Sequence, residues 1–247
     1  MSILGLTIDY GPYGWLEGFD FGWTPNTTDR QNKRYRYGNQ PNIGLWNLYQ
    51  LANALYPIIE EVEPLEAILN QYKDNFEKKS LQMMKAKLGL FMNNKHDKQL
   101  IQNLEDTLQL VETDMTIFFR NLGNFSDENS NINLILDAFY DFDNISDEVK
   151  QLWNTWLKTY AERLKIEKLS NQERKAKMDV INPKYVLRNY MAQLAIDAAD
   201  EGDYALIHDL FNLLKKPYAE QPENEKWFAK RPEWARHKVG CSMLSCS

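Results

Sequence analysis

The first residue equipped for chemistry is Asp9. It ends a strand-like run, I-L-G-L-T-I at 3–8, and leads into D-Y-G-P-Y-G-W, a loop rich in glycine and aromatic residues. A carboxylate at the end of a strand has a fixed direction, and neighbouring glycine lets a phosphate or metal ion approach the backbone. Mg²⁺ needs only one or two carboxylates together with phosphate oxygens, so Asp9 is a candidate Mg²⁺ ligand. Asp also favours turns for local hydrogen-bonding reasons, and on the tripeptide alone the turn reading is preferred. The next chemistry-bearing group is D-R-Q-N-K-R-Y-R-Y at 29–37, where Arg30, Lys33, Arg34 and Arg36 alternate with tyrosine. Basic residues interleaved with aromatics can grip phosphate or nucleic acid, but one short run in an acidic chain reads better as a solvated loop and edge strand. The last group is Cys241 and Cys246, both within the final seven residues. A reactive thiol requires exposure and a lowered pKa, which composition does not decide.

Other chemistries find little support. His96, His208 and His237 are scattered without i, i+4 spacing, so a zinc site is not expected. The body of the chain is free of cysteine, which excludes a disulfide framework. The net charge of −6 argues against bulk binding to nucleic acid or anionic membranes. No apolar run approaches the roughly 20 residues that span a bilayer, and no basic-then-apolar leader opens the chain.

The elements that must position these residues are mostly helical. Residues 1–42 hold six of the eleven glycines and read as a strand at 3–8, a long loop at 9–29 and a short strand at 34–37. From Pro41 the apolar spacing is helical, and Pro57 is expected to end the first helix. Residues 64–90 read as one helix or a broken pair. Leu100, Leu104, Leu108, Val111, Met115, Phe118 and Leu122 recur at three and four, which predicts one helix over about 97–122, stopped by Gly123. N-F-S-D-E-N-S-N-I-N at 124–133 reads as loop. S-D-E-V at 146–149 predicts an N-cap launching a helix that carries Trp153, Trp156 and Tyr160. Asn182-Pro183 predicts another start, with Gly202 as its end, and a shorter helix follows at about 203–215. The aromatic stripes, Trp46, Phe118, Phe119, Trp153 and Trp156, are read as core and the charge runs at 60–63 and 173–177 as solvated helix surface.

Several long stretches together carry a resemblance: S-I-L-G-L-T-I-D-Y-G-P-Y-G-W-L-E-G-F-D, then G-N-Q-P-N-I-G-L-W-N-L, then I-N-P-K-Y-V-L-R-N-Y, and finally P-E-W-A-R-H-K-V-G-C-S. The chain resembles the selenoprotein O family, pseudokinase-fold protein adenylyltransferases. The match is firm through about residue 56 and again from about 181, with a more variable middle. It implies a mainly α protein: a kinase-like C-lobe portion with a short strand and loop element at the N-terminus, and appended C-terminal helices. Residues 1–56 would form the end of the catalytic loop, the D-Y-G metal motif and an activation-like segment. Residues 57–247 would form a helical region with an irregular, cysteine-containing tail.

The same resemblance implies the activity and the site. The family transfers AMP from ATP to Ser, Thr or Tyr hydroxyls of partner proteins and needs Mg²⁺ or Mn²⁺. Asp9 matches its metal- and nucleotide-binding Asp, which makes the functional reading of that residue the preferred one. In the family an Asp-Asn pair, the general base and the second metal ligand, directly precedes the position of Met1. The chain is therefore expected to be the back half of the enzyme, inactive without its N-terminal half. Cys241 falls where the family has its C-terminal Cys or selenocysteine, which implies redox control. Bacterial relatives would be cytoplasmic and animal ones mitochondrial. The rival expectation is a truncated, non-catalytic helical binding module or gene relic.

Overall fold

The computed structural model describes Leu4 and residues 14–25, 31–126 and 130–238. Expectations about the strand at 3–8, Asp9, Arg30 and the two cysteines lie outside the described residues. The structure is mainly helical, with eight α-helices among the described residues: α1 (Gln40–Ile59), α2 (Glu63–Lys87), α3 (Asp97–Leu108), α4 (Met115–Leu122), α5 (Asp147–Leu164), α6 (Asn171–Asp179), α7 (Asn189–Asp200) and α8 (Ala205–Leu214). Among the described residues there is no strand, only two isolated antiparallel bridges, Gly18 with Asp114 and Thr113 with Phe139. No helix of the described residues is long and apolar enough to cross a membrane.

The chain divides into two compact units, one built on Asp20–Gln82 and the other on Trp15–Phe19 and Met83–Ser242. In the second unit, the Leu and Phe spacing that predicted a helix does place Leu100, Leu104, Leu108, Phe118 and Leu122 in the core. α5 supplies the opposing face. Trp153, Trp156 and Tyr160 are all buried, and Trp156 stacks on Tyr160 with centroids 5.1 Å apart. Their polar ends are satisfied at carbonyls: Trp156 Nε1 donates to Leu100 O at 3.0 Å and Tyr160 OH to Leu88 O at 2.8 Å. Each such fully buried ring is worth roughly 1.5–3 kcal/mol of apolar transfer. The N-cap at Ser146 is present, its hydroxyl accepting from Val149 N–H. A second apolar cluster joins α7 and α8 through Tyr190, Met191, Ala195, Leu210 and Leu213.

Four predicted boundaries change. The single helix over 97–122 is two helices, because residues 112–114 run extended and pair on both sides. Asp114 N–H donates to Ala138 O at 2.7 Å, and Phe19 N–H donates to Thr113 O at 3.3 Å. Tertiary pairing here overrides helical periodicity. Pro57 does not end α1. It lies in the final turn, where its missing N–H removes one bond only, and the helix stops when Glu60 turns left-handed at φ 59°. Asn182-Pro183 does not open a helix. Asn182 Nδ2 donates to Lys87 O, both Lys184 and Tyr185 N–H groups donate to Pro217 O, and α7 begins at Asn189. Residues 34–37 are not a strand: Lys33 is left-handed at φ 46°, Arg36 N–H closes a turn on Lys33 O, and a 3₁₀ turn follows at Tyr37–Asn39. Two side-chain expectations also change: Trp46, expected in the core, is half exposed, and Arg174, within the charge run expected on the helix surface, is buried. Ile132–Ala138 forms a 3₁₀ helix, and α6 starts at a capping box between Ser170 and Glu173.

Candidate functional site

The segment that follows Asp9 can be built from residue 14 onward. Trp15 is clamped by the Asn189 side chain, which accepts from Trp15 N–H at 3.1 Å and donates to Trp15 O at 3.2 Å. Two residues on, Glu17 O accepts from Met115 N–H at 3.0 Å. Gly18 then pairs with Asp114. A stretch of loop is thus held along the 112–114 segment by backbone bonds on one side and the first residue of α7 on the other.

Beneath it lies a buried charge cluster. Asp114 is the N-cap of α4, accepting from Ile117 N–H at 3.0 Å, and it takes a two-pronged contact from Arg188, with Nη2 to Oδ1 at 3.1 Å and Nη1 to Oδ2. Both residues are essentially inaccessible to solvent. Burial disfavours the Arg188 charge, but Asp114 outweighs it and holds the guanidinium above its ordinary pKa. Losing one partner of such a pair leaves an uncompensated charge, at a cost of about 3–5 kcal/mol. Glu17 sits beside this pair. Its nearest counter-charge is Arg231, with Nη1 at 3.3 Å from Oε2, yet neither carboxylate oxygen has a hydrogen bond. Burial therefore wins over the attraction of Arg188 and Arg231, and the Glu17 pKa is raised.

Arg231 continues outward to Glu112 at 2.7 Å, and Glu112 also holds Arg236 at 2.8 Å. Both guanidinium groups lie over the Tyr140 ring, at 5.4 and 5.0 Å from its centroid. Burial, then Asp114 and Glu17, push the Tyr140 phenol well above its usual pKa. A cavity of about 830 Å³ opens beside these groups, lined among others by Glu112, Tyr140, Asn144, Ser146, Arg236 and His237.

This arrangement serves as an anchor. Its charges are paired except at Glu17, whose carboxylate meets Arg231 without a hydrogen bond, and its effect is to fix the loop that carries Trp15–Phe19. Among the described residues no three His, Cys, Asp or Glu side chains gather in a way that could hold a metal ion. The basic run at 33–36 is occupied locally: Lys33 Nζ reaches Gly22 O at 3.4 Å, Arg36 Nη1 reaches Lys33 O at 3.3 Å, and Arg34 lies 4.4 Å above the Trp46 ring. Sequence reasoning missed Glu17, Asp114, Arg188 and Arg231. The available signal was a charged residue inside an apolar stretch, as with Arg188 within Y-V-L-R-N-Y-M and Arg120 within I-F-F-R-N-L.

The comparisons with known proteins decide the family. The family model described as "Protein adenylyltransferase SelO" matches residues 1–215. The chain belongs to the SelO family. It is 60% identical over its full length to the protein nucleotidyltransferase YdiU of Flavobacterium johnsoniae, of which it covers 48%. It is 50% identical to that of Aromatoleum aromaticum, covering 47%, and 48% identical to that of Rhodopirellula baltica, covering 48%. This SelO chain thus spans about half the length of the curated relatives it matches.

Proposed function

We propose that this chain is the C-terminal part of a SelO-type protein adenylyltransferase. In the complete protein, a Ser, Thr or Tyr hydroxyl of a protein acceptor attacks the α-phosphorus of ATP. An AMP ester forms and pyrophosphate leaves. The family match over residues 1–215, with relatives named as protein nucleotidyltransferases, carries this reading. Asp9 is assigned as a ligand of Mg²⁺ or Mn²⁺, an ion that would neutralise phosphate charge during the displacement. The Trp15 clamp and the bonds to residues 113–115 fix the backbone of residues 15–19. The general base, the second metal ligand and most of the nucleotide cradle are assigned to the remainder of the complete protein, so the 247 residues alone have no transferase activity. The rival reading as a self-sufficient binding module fits less well, because α1 buries only Ile43 and leaves Trp46, Tyr49, Tyr56 and Ile58 exposed.

The test is to co-express the chain with the remaining half of the Flavobacterium johnsoniae relative and incubate with ATP labelled at the α- or the γ-phosphate, Mg²⁺ or Mn²⁺, and acceptor proteins. Label from the α position only, seen for the pair but not for the chain alone, and reduced at least 100-fold by Asp9→Ala, is the expected result. Transfer from the γ position, or full transfer by the chain alone, would overturn the proposal.

A further inference from the structure

The cavity beside Tyr140 lies wholly within the unit that contains Met83–Ser242, and the anchoring of residues 15–19 borders it without using its interior. At about 830 Å³ it falls within the size range of ligand sites, roughly 300–1,000 Å³. Three pieces of chain wall it: residues 110–112 after α3, residues 140–149 running into α5, and residues 233–237. Backbone bonds hold these walls together. Tyr140 N–H donates to Glu112 O at 3.1 Å, and Arg231 N–H donates to Tyr140 OH at 3.1 Å. Leu110, Val111, Ile145 and Val149 supply an apolar lining, with Leu110 half exposed. The charged lining is unbalanced. Glu112, Asp141 and Glu233 are carboxylates, and Arg236 is shared between Glu112 and Glu233 at 2.8 Å from each. Arg231 gives Glu112 a second counter-charge. Asp141 has no cationic partner among the described residues and accepts from the neutral Asn144 amide at 2.8 and 3.0 Å. Exposed Asp143, Asp147 and Glu148 continue the negative charge, while the nearby Lys150 lies over the Phe142 ring, 5.0 Å from its centroid.

We infer that this cavity is a docking site for a short basic and aliphatic segment of a protein acceptor. An aliphatic side chain enters among Leu110, Val111, Ile145 and Val149, and lysine or arginine on either side of it faces Asp141 and Glu233. Charge complementarity chooses this occupant. An acidic segment or a free anion would meet like charge. A purely apolar segment would take Asp141 out of water without a partner, which is costly. A small organic cation would answer one carboxylate, whereas the carboxylates stand on three separate pieces of chain, and an extended segment can meet them together. A segment held in this way raises the effective concentration of the hydroxyl on the same acceptor. The choice of a protein acceptor rests on the adenylyltransferase reading; the cavity and its charge do not.

The experiment titrates the chain into a fluorescein-labelled Lys-Leu-Lys-Leu-Lys peptide and reads fluorescence anisotropy. It is repeated with the chain co-expressed with the remaining half of the Flavobacterium johnsoniae relative. Saturable one-to-one binding that weakens as salt rises is expected, with no binding of the matched Glu-Leu-Glu-Leu-Glu peptide. Asp141→Lys is the main variant, because Asp141 is exposed and its replacement should leave the far-UV circular dichroism and the urea midpoint unchanged. Leu110→Ser is the second and tests the apolar lining. Each should weaken binding by about tenfold or more. Binding indifferent to both substitutions is adsorption to an acidic chain and would overturn the inference. So would the absence of binding, or binding that disappears once the complementary half is present. Peptide binding by a pair that labels no acceptor would leave the docking site intact and count against the transferase reading alone. Equal labelling of acceptors by the native pair and by Asp141→Lys would count against the docking site alone.

Discussion

Glu17 shows how one side chain can hold a segment in place while working against stability. Its carboxylate is buried without a hydrogen bond, and desolvation exceeds the pull of Arg188 and Arg231. The folded protein therefore binds the Glu17 proton more tightly than the unfolded chain does. The contribution of this group is fully present below the ordinary value of 4.5 and is lost as pH rises through the raised folded value. Glu17→Gln keeps the shape and removes the titration. Urea midpoints of the two proteins between pH 4.5 and 8 should diverge with rising pH, the variant gaining relative to the native chain. A difference that stays constant across that range would show that ionisation of Glu17 is not what the fold resists. Asp114 and Arg188, by contrast, are equally buried but satisfy each other. The distinction is one of geometry: a two-pronged pair against a single ion pair at 3.3 Å without hydrogen-bond alignment.

At the scale of elements, the turn after α2 depends on Gly89. Its φ is +67°, and a Cβ there would lie 2.8 Å from both Arg174 Cγ and Met178 Sδ of α6. Arg174 is itself buried and donates to Phe125 O, so it has little room to move. Gly202 closes α7 at φ +85° but has nothing within 4 Å. Gly202→Ala should cost only the left-handed strain, about 1–2 kcal/mol, and Gly89→Ala should cost clearly more, because strain and collision add. Equal losses in a denaturant titration would mean that α6 yields at no cost. The Gly202 stop was legible in the sequence, as were the Ser146 cap and the α5 aromatic stripe, because each follows from local chemistry. What stayed hidden was the extended break at 112–114, the irregular course of 181–188 and the buried cluster of Glu17, Asp114, Arg188 and Arg231. These depend on partners tens to some two hundred residues away along the chain, from Asp114 with Ala138 to Glu17 with Arg231, and a periodicity of three and four runs through such places without a mark. Asp9 was legible through resemblance alone, since D-Y-G by itself does not separate a metal ligand from a turn.

For the whole molecule, the two units differ in what holds them. Met83–Ser242 contains the Phe118, Trp153, Trp156 and Tyr160 cluster and buried arginines that bind carbonyls and carboxylates across helices. Arg120 alone reaches Asp179 O, Asn182 O, Tyr218 O and Glu220, and with Lys184 it pulls the Glu220 pKa down to about 2, Lys184 being the larger influence. The helices of Asp20–Gln82 have no such interior: Ile43 and Leu69 are the buried apolar residues of α1 and α2 within that unit. Local opening costs least where buried contacts are fewest. Amide hydrogens of residues 45–80 should therefore exchange well ahead of those in α3, α4 and α5 when the chain is studied alone, by a factor of at least 100 under native conditions. Uniform protection across both units in the isolated chain would contradict this, and would mean that Asp20–Gln82 is held by contacts other than its own apolar interior.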